Sequence, residues 1–416
     1  MKRWKKLFLV LLTLVLLSQI PLAYRRYRLG RLHAAIQRLN SQRSVTADHP
    51  NLVDYKGVSH VHSFLGGHST GNFEEIIAAA KANQLNFVLM TEHTSEHFNT
   101  AAMTLKGEYE GILFVNGNEV NAPNSDHLLL LPGLNESNSG GSPANVIDAE
   151  SAPGFHLEDV LTRGRGKAGL TFVAYPQDFR GWDTNFYDGI EVYNLFTNAR
   201  QINPLLMFFD GLWSYRSYPD LLFANFYRRP AENLQKWDQA IARTGRRLVA
   251  VAGSDAHSNV GISLKDDTGK TLAGLKLDPY ERSFRLVRLH VLVPRDQGLS
   301  RESLLAALGA GHSYIGFDLF CDSTGFSFSA SNGAENKIQG DEISLAKEVK
   351  LAVSTPVASR VVLLKDGNAI QDESGLTNKD YTVTEKGAYR LEVYLPQLPG
   401  PVRDQPWIIS NPIYVR

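Results

Sequence analysis

The chain has 416 residues, 43% of them apolar and 21% charged, an ordinary composition for a folded protein with a sizeable core and one that excludes bulk disorder. Its 43 basic residues are balanced by 43 acidic ones, so the basic surplus that phosphate neutralisation demands is missing and no nucleic-acid partner is expected. Cys321 is the one cysteine, which excludes an internal disulfide or a thiolate zinc cluster and leaves His, Asp and Glu to hold any metal.

Lys2, Arg3, Lys5 and Lys6 precede an uncharged run, LFLVLLTLVLLSQIPLAY, over residues 7–24, which is long enough to cross a bilayer. This is an export signal or a membrane anchor. Cleavage favours an A-x-A-like pattern and IPLAYRRYR offers only Ala23, so residues 1–24 are expected to stay as an anchor, with the body on the periplasmic or extracellular side. Residues 25–50 read as a basic polar stalk in which LGRLHAAIQRLN is weakly helical.

Beyond residue 50, short apolar runs alternate with helical patterns. GVSHV is followed by NFEEIIAAAKANQ, with Asn72 and Glu75 in capping-box spacing, and then by NFVLM, GILFVN, HLLLL, LTFVAY, GIEVYN, RLVAVAG and RLHVLV. PAENLQKWDQAIA and RESLLAALGA read as helices among them. Alternation of this kind implies parallel β/α units, and about eight strands over roughly 260 residues fit a barrel better than an open sheet. Two segments break the rhythm. Residues 133–155 are Gly/Ser-rich and read as a surface loop. Residues 198–229, dense in aromatics, read as a helical pair packed on the barrel, with a lid or a membrane-surface contact as the alternative. After Phe320 only short strand patterns remain, so residues 321–416 are expected to form a small all-β sandwich.

The chemistry is concentrated where apolar runs end. GVSHVHSFLGGHST places His60, His62 and His68 together, and on a strand residues two apart share a face, so His60 and His62 can grip one ion. In VAGSDAHS, Asp255 and His257 repeat that spacing after another apolar strand. His93 in VLMTEHT, Glu119 in GNEV and His127 at the start of HLLLL occupy similar positions, and the C-terminal strand ends of a β/α barrel are where its active site forms. Nothing resembles the G-x-S-x-G of a serine hydrolase, and no Gly-rich phosphate loop is present.

As a set, His60 with His62, His68, His93 in TEH, Glu119 in G-x-E form, His127, and Asp255 with His257 resemble the motifs of the PHP (polymerase and histidinol phosphatase) domain, over residues 54–320. The resemblance implies a distorted β/α barrel of about seven strands over residues 51–320. It also implies those eight residues as ligands of two or three divalent ions, for which all-N/O donors admit Zn, Mn or Fe. PWIISNPIYV and GIEVYN are similar to the carbaryl-hydrolase-like branch of these metallohydrolases. Where relatives carry a histidine in an A-H-P segment this chain has VAYPQD, which puts Tyr175 at a ligand position and leaves a binuclear site as open as a trinuclear one. Glu92 stands where T-D-H has its aspartate and is expected to orient a ligand or charge the site, a role that Glu191 could share.

Glu119 bridging two ions would lower the pKa of a bound water and make hydroxide available near neutral pH, with Asp255, Tyr175 and Glu92 as further catalytic candidates. The function implied is a metal-dependent phosphoesterase acting on a small-molecule ester. A carboxyl ester, carbamate or amide hydrolase of the same fold, and a catalytically weak metal-supported binding protein, are the alternatives.

Overall fold

A 39-residue helix, α1 (Arg3–Ser41), opens the chain, and its two halves have different fates. Leu7 to Leu17 carry their apolar side chains bare, whereas Leu32, Ile36 and Leu39, spaced i, i+4, i+7 on one face, are buried in the main core. Within the stretch 25–50 read as a stalk, where LGRLHAAIQRLN is expected to be weakly helical, the helix runs to Ser41. The polar look of that stretch comes from the outer face of a helix whose inner face is packed. The computed structural model describes residues 3–44, 51–95, 97–122, 126–131, 169–184, 186–199, 202–265 and 271–416. The Gly/Ser-rich segment 133–155 lies outside them.

The strands are β1 (Leu52–Val61), β2 (Phe87–Met90), β3 (Glu92–His93), β4 (Gly107–Tyr109), β5 (Ile112–Val115), β6 (Asn118–Ala122), β7 (Asp126–Leu131), β8 (Leu170–Ala174), β9 (Gly189–Asn194) and β10 (Val249–Gly253), of which β3, β4 and β6 lie outside the expected runs. Pairing is parallel from β1 to β2 to β5 and from β3 to β6, antiparallel on both sides of β7, and parallel again from β8 to β9 to β10. The succession then returns to its start. Ser254 N donates to Ser59 O (3.0 Å), Ala256 N to His60 O (3.2 Å) and His62 N to Ala256 O (3.1 Å).

Helices connect these strands. In α2 (Phe73–Ala82) the capping box forms as expected, with Glu75 N donating to Asn72 Oδ1 at 2.8 Å. There follow α3 (Thr100–Met103), α4 (Leu195–Ala199), α5 (Pro204–Ser214), α6 (Ala231–Thr244), α7 (Tyr280–Leu286) and α8 (Arg301–Gly309). Pro204 at the first turn of α5, capped by Asn203, starts that helix where its missing N–H costs nothing. Among its described residues, the insertion 198–229 holds the end of α4, then α5, then a 3-10 stretch over Asp220–Phe226.

Beyond β10 come the hairpin β11 (Gly261–Lys265) and β12 (Thr271–Lys276), then β13 (Arg288–Pro294) and β14 (Ser313–Gly316). The C-terminal strands are β15 (Ser327–Ser331), β16 (Asn336–Ile338), β17 (Glu342–Ile343), β18 (Val349–Lys365), β19 (Asn368–Val383), β20 (Gly387–Tyr394), β21 (Pro406–Ser410) and β22 (Ile413–Val415). They are not set apart at residue 320. β13 lies antiparallel to β1, β14 to β13, and β21 to β14, so one sheet runs from the first strand into the C-terminal part. One apolar cluster follows it, from Leu32 through Phe172 and Ile315 to Val415.

Candidate metal centre

His60, Tyr175 and Asp255 all have positive φ (60°, 47° and 48°), a conformation that L side chains other than Asn and Asp seldom adopt. Each sits at or just past the end of a strand: β1, β8 and β10. Left-handed residues cost on the order of 1–3 kcal/mol and persist only where the surroundings over-determine them. At His60 the kink coincides with a register break between Val58 and Val61, so plain alternation along a strand is not what aims His60 and His62. The bulged strand end does so. Their rings lie 5.1 Å apart and both are fully buried.

Glu119 stands between them. Its Oε2 is 3.2 Å from His60 Nε2 and 3.4 Å from both His62 Nε2 and His93 Nδ1, while its Oε1 is 3.0 Å from His127 Nδ1. Asp255 Oδ1 approaches His60 Nε2 at 3.5 Å and His62 Nε2 at 3.4 Å. His62 is sandwiched between the rings of His93 and His257, each 4.3 Å away and nearly parallel. Two overlapping groups result, His60–His62–Glu119–Asp255 and His62–His93–His257, each with its donor atoms within 4.8 Å of one another.

The surrounding contacts aim these donors. Glu191 Oε1 lies 2.6 Å from His60 Nδ1, which leaves Nε2 facing the centre. His257 Nδ1 lies 2.9 Å from the Asp255 carbonyl and its Nε2 is turned toward His93. Tyr175 Oη donates to Asp255 Oδ2 at 2.8 Å, with Asn194 Nδ2 at 3.4 Å from the same oxygen and 3.1 Å from Glu191 Oε2. Gly253 makes the close packing possible, since a Cβ there would fall 1.8 Å from Glu191 Oε1 and 2.6 Å from His60 Cβ.

Electrostatics separate the imidazoles. Burial, with the like charge of His257 and His60, pushes His62 down to about 4, and burial with His62 pushes His93 down to about 3, so both are neutral with lone pairs to give. Burial opposes charge on His60 as well, but Glu191, Asp255 and Glu119 together lift it well above the imidazole range. Against the upward push of burial, His60 leads the interactions that hold Glu119 and Asp255 below the carboxylate range. Burial, and then Asp255, Glu119 and Glu191, raise Tyr175 far above the phenol range, so it stands here as a neutral hydrogen-bond donor.

A cation fits this set. Both ring nitrogens of His62 and the Oδ1 of Asp255 are buried without a hydrogen-bond partner, and a buried polar atom left so costs about 1–3 kcal/mol. Among the described residues, every ion pair of Glu119, Glu191 and Asp255 is with a histidine, with no lysine or arginine to neutralise them. All the donors are N or O.

Of the residues singled out in the sequence, His60, His62, His93, Glu119, Asp255 and His257 fall in the two groups, and His127 and Tyr175 touch them. His68 does not join either group. It is exposed at the rim, its ring edge-on to His93 at 5.0 Å. Glu92 is turned away, accepting from Ser63 N (2.9 Å) and Thr104 Oγ1 (2.7 Å), so its carboxylate fastens the loop after β1 rather than meeting the donors. Sequence reasoning missed Asn194 and Gly253, although each ends a motif it had read, GIEVYN and VAVAG.

No family model matches the chain, and no curated protein matches it. Among solved structures it is similar to PsfC from Pseudomonas syringae, at 14% identity and a TM-score of 0.31 over 64% of this chain and 91% of that one. It is also similar to a candidate metal-dependent phosphoesterase from Bifidobacterium adolescentis, at 14% identity and a TM-score of 0.29 over 55% of this chain and 94% of that one. At such scores the functional reading rests on the site itself.

Proposed function

We propose that the chain is a metal-dependent hydrolase, specifically a phosphoesterase, on a distorted β/α barrel of the PHP type with its C-terminal strands arranged as a β-sandwich. The observation that carries this is the buried N/O donor set in which His62 and Asp255 Oδ1 have no other partner. Zn, Mn or Fe ions held by His60, His62, His93, Glu119, Asp255 and His257 would supply Lewis acidity and a lowered water pKa.

The chain's own side chains prepare that centre. Glu191 fixes the ring orientation of His60, and the Asp255 carbonyl does the same for His257. Tyr175 keeps its proton on Oη and directs it at Asp255 Oδ2, which leaves Oδ1 for the centre. Glu119 offers one oxygen to the His60–His62 side and the other to His127. Full burial of His60 and His62 excludes bulk water from behind, while His68, His93 and His127, all partly or fully exposed, mark the side from which a small ester approaches. We also read α1 as an uncleaved anchor, because IPLAYRRYR offers only Ala23 toward the A-x-A-like pattern that cleavage favours.

The full chain in detergent, stripped with a chelator and reloaded with one of these ions, should cleave aryl phosphate esters faster than aryl carboxyl esters. It should lose both bound metal, by elemental analysis, and turnover when His60 and His62 are replaced together by alanine. Faster carboxyl or carbamate ester cleavage would replace the phosphoesterase by the other hydrolase. Metal retained by the double variant would place the centre elsewhere.

A further inference from the structure

The apolar run of α1 is bracketed by the residues that favour membrane interfaces. Trp4, Lys5 and Lys6 stand at one end, and Tyr24, Tyr27 and the series Arg25, Arg26, Arg28 and Arg31 at the other. From Trp4 to Tyr24 the helix rises about 30 Å, the thickness of a hydrocarbon core. On the anchor reading, one bilayer surface therefore passes through Tyr24 to Arg28.

Helix α5 is fastened at that level. Arg25 Nε donates to Asp210 Oδ1 at 2.6 Å, Arg26 donates to Trp213 O, and Arg26 Nη2 donates to Ser217 Oγ at 2.8 Å. Asp210 and Ser214 form the buried face of α5. Its other face is apolar and bare: Leu205 is 62% exposed, Phe208 53% and Leu212 67%. Leu205, Phe208 and Leu212 follow i, i+3, i+7 spacing, hence one stripe. Asp210 is the sole charged residue of α5 and is already paired. Arg216 and Arg228, both exposed, extend the basic surroundings of α1 close to this helix.

We propose that α5 is a second, monotopic membrane contact: its Leu205–Phe208–Leu212 stripe enters the leaflet from which α1 emerges, with the surrounding arginines against anionic headgroups. The inference rests on reading α1 as an anchor. A stripe of this size beside bare α1 leucines is an interfacial helix in composition and place, with its polar side held by the protein rather than by water. The loop that carries it starts beside the metal centre, where the Phe196 ring lies 6.0 Å from that of His257.

The test uses the full chain in vesicles of phosphatidylcholine with phosphatidylglycerol. An environment-sensitive fluorophore is placed on Phe208→Cys and Leu212→Cys, and Cys321 is buried away from the reagent. Tyr24→Cys and Ile370→Cys, the latter exposed on β19, serve as membrane and aqueous references. The labels at 208 and 212 should show blue-shifted emission, quenching by lipids spin-labelled near the headgroup and protection from aqueous iodide, as at 24. Iodide quenching at 208 and 212 with lipid quenching at 24 would overturn the α5 contact and leave the anchor standing. Protection from iodide without lipid quenching would assign the stripe to a protein neighbour and overturn it too. Iodide quenching at 24 would remove the anchor and this contact with it.

Discussion

The backbone at His60, Tyr175 and Asp255 is held in the left-handed region, which a bulky residue such as Tyr175 seldom adopts, and the site depends on what holds it there. Gly253 is the tightest point. Replacing it by alanine would force Glu191 off His60, so Gly253→Ala should weaken divalent-cation binding about 10–100-fold and destabilise the chain by about 1–3 kcal/mol, measured by calorimetric titration and by denaturant midpoint. An unchanged affinity would show that Glu191 does not orient His60. The donors themselves were legible in the sequence, because His, Asp and Glu at the ends of apolar runs stand out against their neighbours. Their geometry was not. A left-handed residue such as His60 has no compositional mark, and Asn194 became visible as a partner of Glu191 and Asp255 only once β9 and β10 lay side by side.

At the scale of elements, strand runs and the α2 capping box could be read locally because period, length and caps are local properties. The docking of α1 could not, although its signal was present: Leu32, Ile36 and Leu39 carry helical spacing in a stretch whose arginines drew the reading toward a stalk. These three side chains join the main core. Leu39→Ala should therefore cost about 2–5 kcal/mol in detergent, and a chain beginning at residue 45 should melt lower than the full chain and expose apolar surface to a hydrophobic dye. Equal melting temperatures would mean that α1 adds nothing to the fold it rests on.

For the molecule as a whole, the sequence pattern separated residues 321–416 from what precedes them, and strand pairing joins the two, because pairing between distant strands leaves no local trace. A buried polar cluster sits at the joint. His290 on β13 lies between Asp54 (2.9 Å) and Asp318 (3.2 Å), and Tyr314 on β14 stacks on its ring at 4.5 Å while donating to Asp54 Oδ2. Burial lowers His290, yet the two aspartates outweigh it and bring it up to about 10. A folded value above the unfolded one stabilises fully below about pH 6.5 and is lost as pH rises through the folded value. Denaturant midpoints should accordingly fall between about pH 7 and about pH 10 more steeply in the parent than in His290→Gln, by a difference on the order of a few kcal/mol. Parallel pH profiles would remove His290 from the joint. One further property follows from α1 being unbroken from Arg3 to Ser41. A flexible coil over residues 25–50 would let the body wander by about 28 Å from its tether, whereas a stiff helix seated in the core permits no such excursion. On the reading of α1 as an anchor, the body would be mounted on a lever. A bilayer that thins or thickens would make the helix lean, and the face that carries His68, His93 and His127 would swing with it, so membrane thickness would become a mechanical input to where that face points.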